Sequence, residues 1–295
     1  MAAPLQEQLS DRLPAPAWPV LELLACPVCR GSLAPAGEDV LACSDCGRRW
    51  PERDGWLDFV TGAELPLDDH WAQRQQSMEG WYENLITASD QAEECYRHDY
   101  EPLAPLLHGL RGLVLDVGGG NGIVRQYLAP DVQYIDIDPS LEWLRPDWLQ
   151  VAAFFPALTS PITFVRGVGE RLPFRSGRMD AVLSLFSLNH AADPARLVSE
   201  ALRVLRPGGR LLIVAEDVEP RWRDLARPGY RAGWVPLSRA IPDKLAATLG
   251  RRRWPLHPEH LRTTEGELRT WLRDGFELNR RSWIAGWLTL EATKR

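Results

Sequence analysis

The chain has 295 residues, a net charge of −6, 45% hydrophobic and 25% charged residues, which fits one large domain or a domain with an appendage. The acidic balance does not suggest a surface built to grip nucleic acid. No apolar run reaches the length of a membrane span, and residues 1–20 lack a basic head leading into an apolar stretch, so the expectation is a cytoplasmic protein without a membrane span or secretion signal.

Residues 1–20, rich in Pro and Ala, read as a flexible lead-in. Residues 21–64 contain Cys26-Pro27-Val28-Cys29 and Cys43-Ser44-Asp45-Cys46, separated by 13 residues. Each C-x2-C turns two sulfurs toward one point, and two such knuckles supply the four soft thiolates that a tetrahedral zinc ion prefers. Four ligands close the coordination shell, so the predicted zinc at Cys26, Cys29, Cys43 and Cys46 is structural. It would hold together a piece too small to bury enough apolar surface alone. The segment from Trp50 to Phe59 reads as a hairpin strand folding back on the knuckles. The run CPVCRGSL…LACSDCGRRWPERDG resembles the zinc-ribbon proteins that partner tRNA and protein methyltransferases. It resembles less closely the amino-terminal zinc module of 23S rRNA guanine-N1 methyltransferases, in which a His stands where this chain has Cys46. Between Glu22 and Asp58 there are seven acids against four Arg, a poor balance for clamping RNA. Cys95 stands alone and reads as an ordinary thiol.

Residues 65–110 form a predicted helical connector. Trp71, Met78, Tyr82 and Leu85 share one helical face, either packing on a sheet or forming an aromatic lid over a ligand. The third segment, residues 111–295, opens on Leu113–Gly122, LVLDVGGGNG. An apolar run stopped by a Gly cluster reads as a buried parallel strand turning sharply into a helix. The dinucleotide pattern G-x-G-x-x-G fails, because Ile123 stands where its last Gly would be. The spacing D-x-G-x-G-x-G fits in full, with Asp116, Gly118, Gly120 and Gly122. It resembles motif I of class I S-adenosylmethionine methyltransferases, whose fold is a Rossmann-like α/β layer: a seven-stranded, mostly parallel sheet with helices on both faces.

The same resemblance assigns the elements beyond the glycine loop. Ile123–Leu128 is the predicted first crossover helix, with its amino end toward that loop. Val132–Pro139 is a second strand ending in acid; the family pattern G-V-D-I-S-P places Asp136 as the ribose ligand with Ile137 beside it. Ile162–Phe174 resembles the family's F-x-x-G-D-A-E-x-L-P-F, with Val168 replacing the Asp that often meets adenine. Backbone amides at Val168 and Gly169 could still read the adenine edge. Met179–His190 is a fourth strand and its exit loop. Ligands of open α/β sheets bind at carboxyl ends of strands, so Ser184 to His190 should face the reacting methyl group.

The stretch FSLNHAADPARLVSEALRVLRPGGRLLI resembles the ubiquinone- and menaquinone-pathway methyltransferases and many natural-product enzymes. Residues 217–262, with Trp222, Tyr230, Trp234, Trp254 and Arg251–Arg253, read as an insertion beside the substrate. Thr264 and Glu267 have the spacing of a helix capping box, and Phe276–Thr293 reads as a closing antiparallel hairpin.

The cofactors implied are S-adenosyl-L-methionine and structural zinc. His190 is the candidate base, since its pKa lies near neutrality, and Asn189 the candidate for positioning an acceptor. Three functional readings remain open. The first is a methyltransferase acting on O, N or C of a small molecule, possible in natural-product biosynthesis. The second is an rRNA or tRNA base methyltransferase of guanine-N1 type that binds RNA through the ribbon. The third is a non-catalytic scaffold with the same fold. The sequence leaves oligomeric state and acceptor identity open.

Overall fold

The computed structural model describes residues 18–53, 56–60, 72–73, 75–80, 89–140, 162–233, 235–250, 260–261 and 263–295. Eleven described strands form one sheet. In chain order they are β1 (Leu33–Pro35), β2 (Val40–Cys43), β3 (Arg49–Arg53), β4 (Trp56–Asp58), β5 (Leu113–Val117), β6 (Gln133–Asp138), β7 (Thr163–Arg166), β8 (Met179–Leu185), β9 (Leu205–Ala215), β10 (Phe276–Ile284) and β11 (Trp287–Lys294). Their spatial order is β1-β2-β3-β4-β7-β6-β5-β8-β9-β11-β10.

The seven strands from β7 to β10 are the Rossmann-like sheet that motif I implied. The first five, through β9, pair in parallel, and the β10–β11 hairpin closes the sheet antiparallel. β5 is buried along its whole length, as a strand covered on both faces should be. The order reverses direction between β5 and β8, which is where an open α/β sheet leaves a crevice for ligands.

The ribbon does not stand apart from this sheet. Its last strand, β4, adds to the sheet in parallel beside β7, with Leu57 opposite Val165 and Asp58 opposite Arg166. Trp50 and Phe59 are fully buried with ring centroids 5.4 Å apart, and one apolar core runs from Leu24 and Leu41 of the ribbon through Leu115 and Phe174. Ionic contacts reinforce the seam. Arg30 reaches the buried Glu200 at 2.6 Å and the carbonyl of Leu172 at 2.8 Å, and Arg203 meets the same carboxylate at 2.8 Å.

Two local expectations change. Residues Ile123–Tyr127 form a short 3-10 turn in place of the predicted α-helix. The buried Arg125 donates to the carbonyls of Ala129 and Pro130, both at 3.2 Å. The chain therefore leaves the helical path within two turns. The strand predicted to start at Leu211 already starts at Leu205, running through the R-P-G-G stretch with Gly208 at φ 76°. The helix α1 (Pro194–Val204) precedes it. The predicted capping box is present at α2 (Glu265–Leu272): the Thr264 hydroxyl accepts from the Glu267 amide, and the Glu267 carboxylate accepts from the Thr264 amide. The hairpin turns at Ala285 and Gly286, both at positive φ. Among the described residues no helix is long and apolar enough to cross a membrane.

The insertion is tied to the closing hairpin. Arg281 donates to Asp224 at 2.5 Å and to Glu265 at 2.8 Å, and Tyr230 packs edge-on against Trp283. Trp222 is exposed. Trp71, Trp81, Tyr82, Leu85, Trp234, Trp254 and Arg251–Arg253 lie outside the described residues.

Candidate functional site

The site is built on the turn after β5. Gly118, Gly120 and Gly122 have φ of 73°, 62° and 75°, a region that costs other residues energy and that glycine occupies freely. The loop is also tight: a Cβ on Gly118 would lie 2.5 Å from the Ser187 Cβ, and one on Gly119 would lie 2.5 Å from Oδ2 of Asp136. Bare backbone therefore forms one wall of a cleft. The opposite walls come from Ile137 and Asp138 at the end of β6, Gly167 to Glu170 after β7, and Phe186, Ser187 and His190 after β8. Leu197 of α1 and Gln75 and Met78 of the connector complete it.

The candidate cofactor residues divide by depth. Gly118, Ile137, Val168 and Gly169 line the cleft. Asp116 and Asp136 do not: they are cross-strand partners, 1% and 0% exposed, lying beneath the glycine loop. The Tyr134 hydroxyl donates to Asp116 at 2.7 Å. Burial pushes the Asp116 carboxyl up to about 7, against the opposing effect of the Tyr134 hydrogen bond. Burial raises Asp136 as well, and the neighbouring Asp116 adds to it. On the β6 side the carboxylate that borders the cleft is that of Asp138. It accepts from the Gly120 amide at 3.2 Å and the Ser140 amide at 2.8 Å. Asp136, the expected ribose ligand, thus lies under the glycine loop, and Asp138, two residues on, borders the cleft. Both point to the same side of β6, and only the outer one clears the loop.

Ser184 also lies below the cleft surface. It is fully buried at 2.8 Å from the Ser187 hydroxyl, which donates to the Val117 carbonyl at 2.5 Å and itself borders the cleft. Asn189 is also buried, away from the cleft wall. Its Nδ2 donates to the Leu261 carbonyl at 2.9 Å and its Oδ1 accepts from the Glu216 amide at 3.1 Å. Phe186, at φ 61°, packs edge-on against Tyr100 and Trp287. Tyr96 of the connector accepts from Asn121 at 3.3 Å. The connector therefore abuts the site through Met78, Tyr96 and Tyr100.

His190 borders the cleft and meets two residues that sequence reasoning missed. Its Nε2 lies 3.6 Å from a Glu216 oxygen, and its ring lies 4.7 Å from that of His260, edge to face. His260 Nδ1 is 2.7 Å from Asp217. Nothing local marks His260 in the sequence, since it lies 70 residues from His190.

The ribbon's sulfurs fit the ion predicted for them. Cys26 and Cys46 sulfurs are 3.7 Å apart, those of Cys29 and Cys43 are 3.4 Å apart, and all four lie within 4.8 Å. A tetrahedron with Zn–S of about 2.3 Å has edges of roughly 3.8 Å. The Arg48 backbone amide lowers the Cys46 thiol to about 6, favouring the thiolate form that binds metal.

Comparison with known proteins agrees with this geometry. Residues 115–213 match the family model of a methyltransferase domain, and residues 19–55 match that of Trm112p-like protein. An uncharacterized methyltransferase of Mycolicibacterium vanbaalenii is 42% identical over 99 residues, 32% of this chain and 36% of that protein. A demethylmenaquinone methyltransferase of Beutenbergia cavernae is 37% identical over 116 residues, 37% of this chain and 42% of that protein. The chain thus spans less than half the length of the curated relatives it matches. A solved complex containing the Haloferax volcanii Trm112 methyltransferase activator shows a TM-score of 0.46 at 17% identity, covering 77% of this chain and 98% of that one. Residues 115–213 are thus similar to a methyltransferase domain, and residues 19–55 ahead of them to Trm112p-like protein.

Proposed function

We propose that a chain with this domain transfers the methyl group of S-adenosylmethionine to a small-molecule acceptor. The observation that carries the reading is the cleft at the carboxyl ends of β5 to β8, whose lining joins bare glycine backbone, the carboxylates of Asp138 and Glu170 and the imidazole of His190. When bound, the donor supplies a methyl on a sulfonium, a good leaving group, so alignment is the protein's main task.

The residues divide that task. Gly118 leaves room for the donor against the main chain, and Asp138 is placed to accept from the ribose hydroxyls. Ile137 and Leu197 offer apolar surface for the adenine, and the backbone at Val168 and Gly169 its polar edge. His190, at the far end of the cleft, is placed to meet the acceptor, and it is the base for a nucleophile that must lose a proton only where no ion holds its ring. Asn189 is a positioning residue that fixes the backbone around His190. The acidic ribbon and the cleft's aromatic neighbours support a small acceptor over a nucleic acid.

Calorimetric titration with S-adenosylhomocysteine tests the cofactor site; no binding would favour the non-catalytic scaffold. Labelled S-adenosylmethionine offered with phenols, amines and carbon acids then tests the acceptor class. The Trm112p-like match favours a second reading, an RNA base as acceptor. A salt-dependent RNA mobility shift, with label entering RNA and no small molecule, would establish that reading in place of the first.

A further inference from the structure

We infer that His190, Glu216 and His260 form a second metal site, for a divalent transition-metal ion, at the acceptor end of the cleft. One ligand atom from each lies within 4.8 Å of the others. The His190 Nε2 to Glu216 separation of 3.6 Å is close to the roughly 3.4 Å edge expected of a tetrahedron with bonds of about 2.1 Å. Two imidazoles and one carboxylate form a donor set that zinc and ferrous iron share, and it leaves coordination positions open.

Two further observations set this cluster apart from a chance meeting. First, Asp217 stands behind His260, 2.7 Å from Nδ1 and with its side chain 3% exposed. A carboxylate behind a ligating imidazole fixes the ring and its tautomer, and with Nδ1 held by Asp217 the ring has Nε2 left to offer an ion. Asp217 holds that place at φ 45°, a strained conformation for a non-glycine residue of the kind that collects at functional sites. Second, the buried Asn189 joins the three backbones that carry the ligands. It precedes His190, accepts from the amide of Glu216, and bonds Leu261 twice, from its side chain at 2.9 Å and through its own carbonyl at 2.8 Å. Segments far apart in sequence are thereby locked with their ligands converging.

His190 also borders the cleft, so the open positions face the space left for an acceptor. A ligand offering oxygen donors, such as a vicinal diol or a hydroxy-carboxylate, fits those positions. The inference uses the methyltransferase reading only to say what the ion would meet. Metal binding is counted without any turnover.

The test uses the full chain with its ribbon zinc-loaded, titrated with Co²⁺ and analysed for metal content and visible absorption. The expected result is one zinc and one further ion per chain. The added cobalt should lack the intense sulfur-to-metal band of a tetrathiolate site. Glu216→Gln and His260→Ala should each lose the further ion and keep the zinc, and Asp217→Asn should weaken it by about 10–100-fold. If His260→Ala fails to fold, Glu216→Gln alone decides, because it changes little in volume. A single equivalent of metal in the unmodified chain overturns the inference, as does a second equivalent that survives Glu216→Gln. S-adenosylhomocysteine affinity, measured on the same samples, reports separately on the methyltransferase reading.

Discussion

Asp58 of the ribbon and Arg166 of β7 are joined at 3.0 Å, and the same guanidinium donates to the carbonyl of Pro139, also at 3.0 Å. The ribbon's closing strand thus braces the Asp138–Ser140 loop that borders the cleft. Asp58 is 1% exposed and Arg166 25%. Losing one partner of a wholly buried pair costs about 3–5 kcal/mol, and the exposure of Arg166 brings the expected loss for Arg166→Ala nearer to about 2 kcal/mol. Affinity for S-adenosylhomocysteine should fall together with stability. Urea unfolding and calorimetry on the same variant check both, and unchanged affinity would separate the ribbon from the cofactor site.

Zinc removal should be felt throughout the fold. Trp50, Leu41 and Phe59 share one core with Leu115 and Phe174, so the ribbon cannot unfold without exposing the Rossmann-like sheet. Chelation, or Cys26→Ser, should lower a single calorimetric transition. Two transitions, the upper one unmoved by chelation, would show that the ribbon melts alone.

Gly118→Ala tests the loop. The added methyl meets Ser187 at 2.5 Å on a backbone at φ 73°, and the strained conformation alone costs about 1–2 kcal/mol. S-adenosylhomocysteine should bind at least about tenfold more weakly. Affinity within twofold of the unmodified chain would mean that the loop does not contact the ligand.

The buried Asp116 predicts a pH dependence of stability. Burial raises its pKa from 3.8 to about 7, so between these values the folded state holds a proton that the unfolded state releases. Stability from this group is present at low pH and is lost as pH rises toward 7. Asp116→Asn removes the titration while keeping an acceptor for Tyr134. Between pH 5 and 8 the variant should gain about 2–3 kcal/mol relative to the unmodified chain, at about 1.4 kcal/mol per unit. Denaturant unfolding at the two pH values checks it, and a constant difference would count against a proton on Asp116.

Much of the fold and part of the site were legible in the chain. Gly118, Gly120 and Gly122 announced their turn because few other residues tolerate its dihedrals. The four Cys announced their cluster because paired knuckles at that spacing suit a tetrahedral thiolate site. Thr264 and Glu267 announced a helix start because capping is a local exchange of hydrogen bonds. Depth was not legible. Asp136 and Asp138 share one face of one strand, and only the height of the packed glycine loop decides which reaches the cleft. The same holds for Ser184 and Ser187.

The sequence by itself determined the elements whose physics is local: apolar runs ending in glycine turns, knuckle spacing and caps. Tertiary structure alone decided that the ribbon extends the Rossmann-like sheet through β4, and that His190, Glu216 and His260 converge. Those outcomes depend on edge pairing and on contacts between distant segments, whose energies come from burial and from buried hydrogen bonds such as those of Asn189. No short window of residues carries that information.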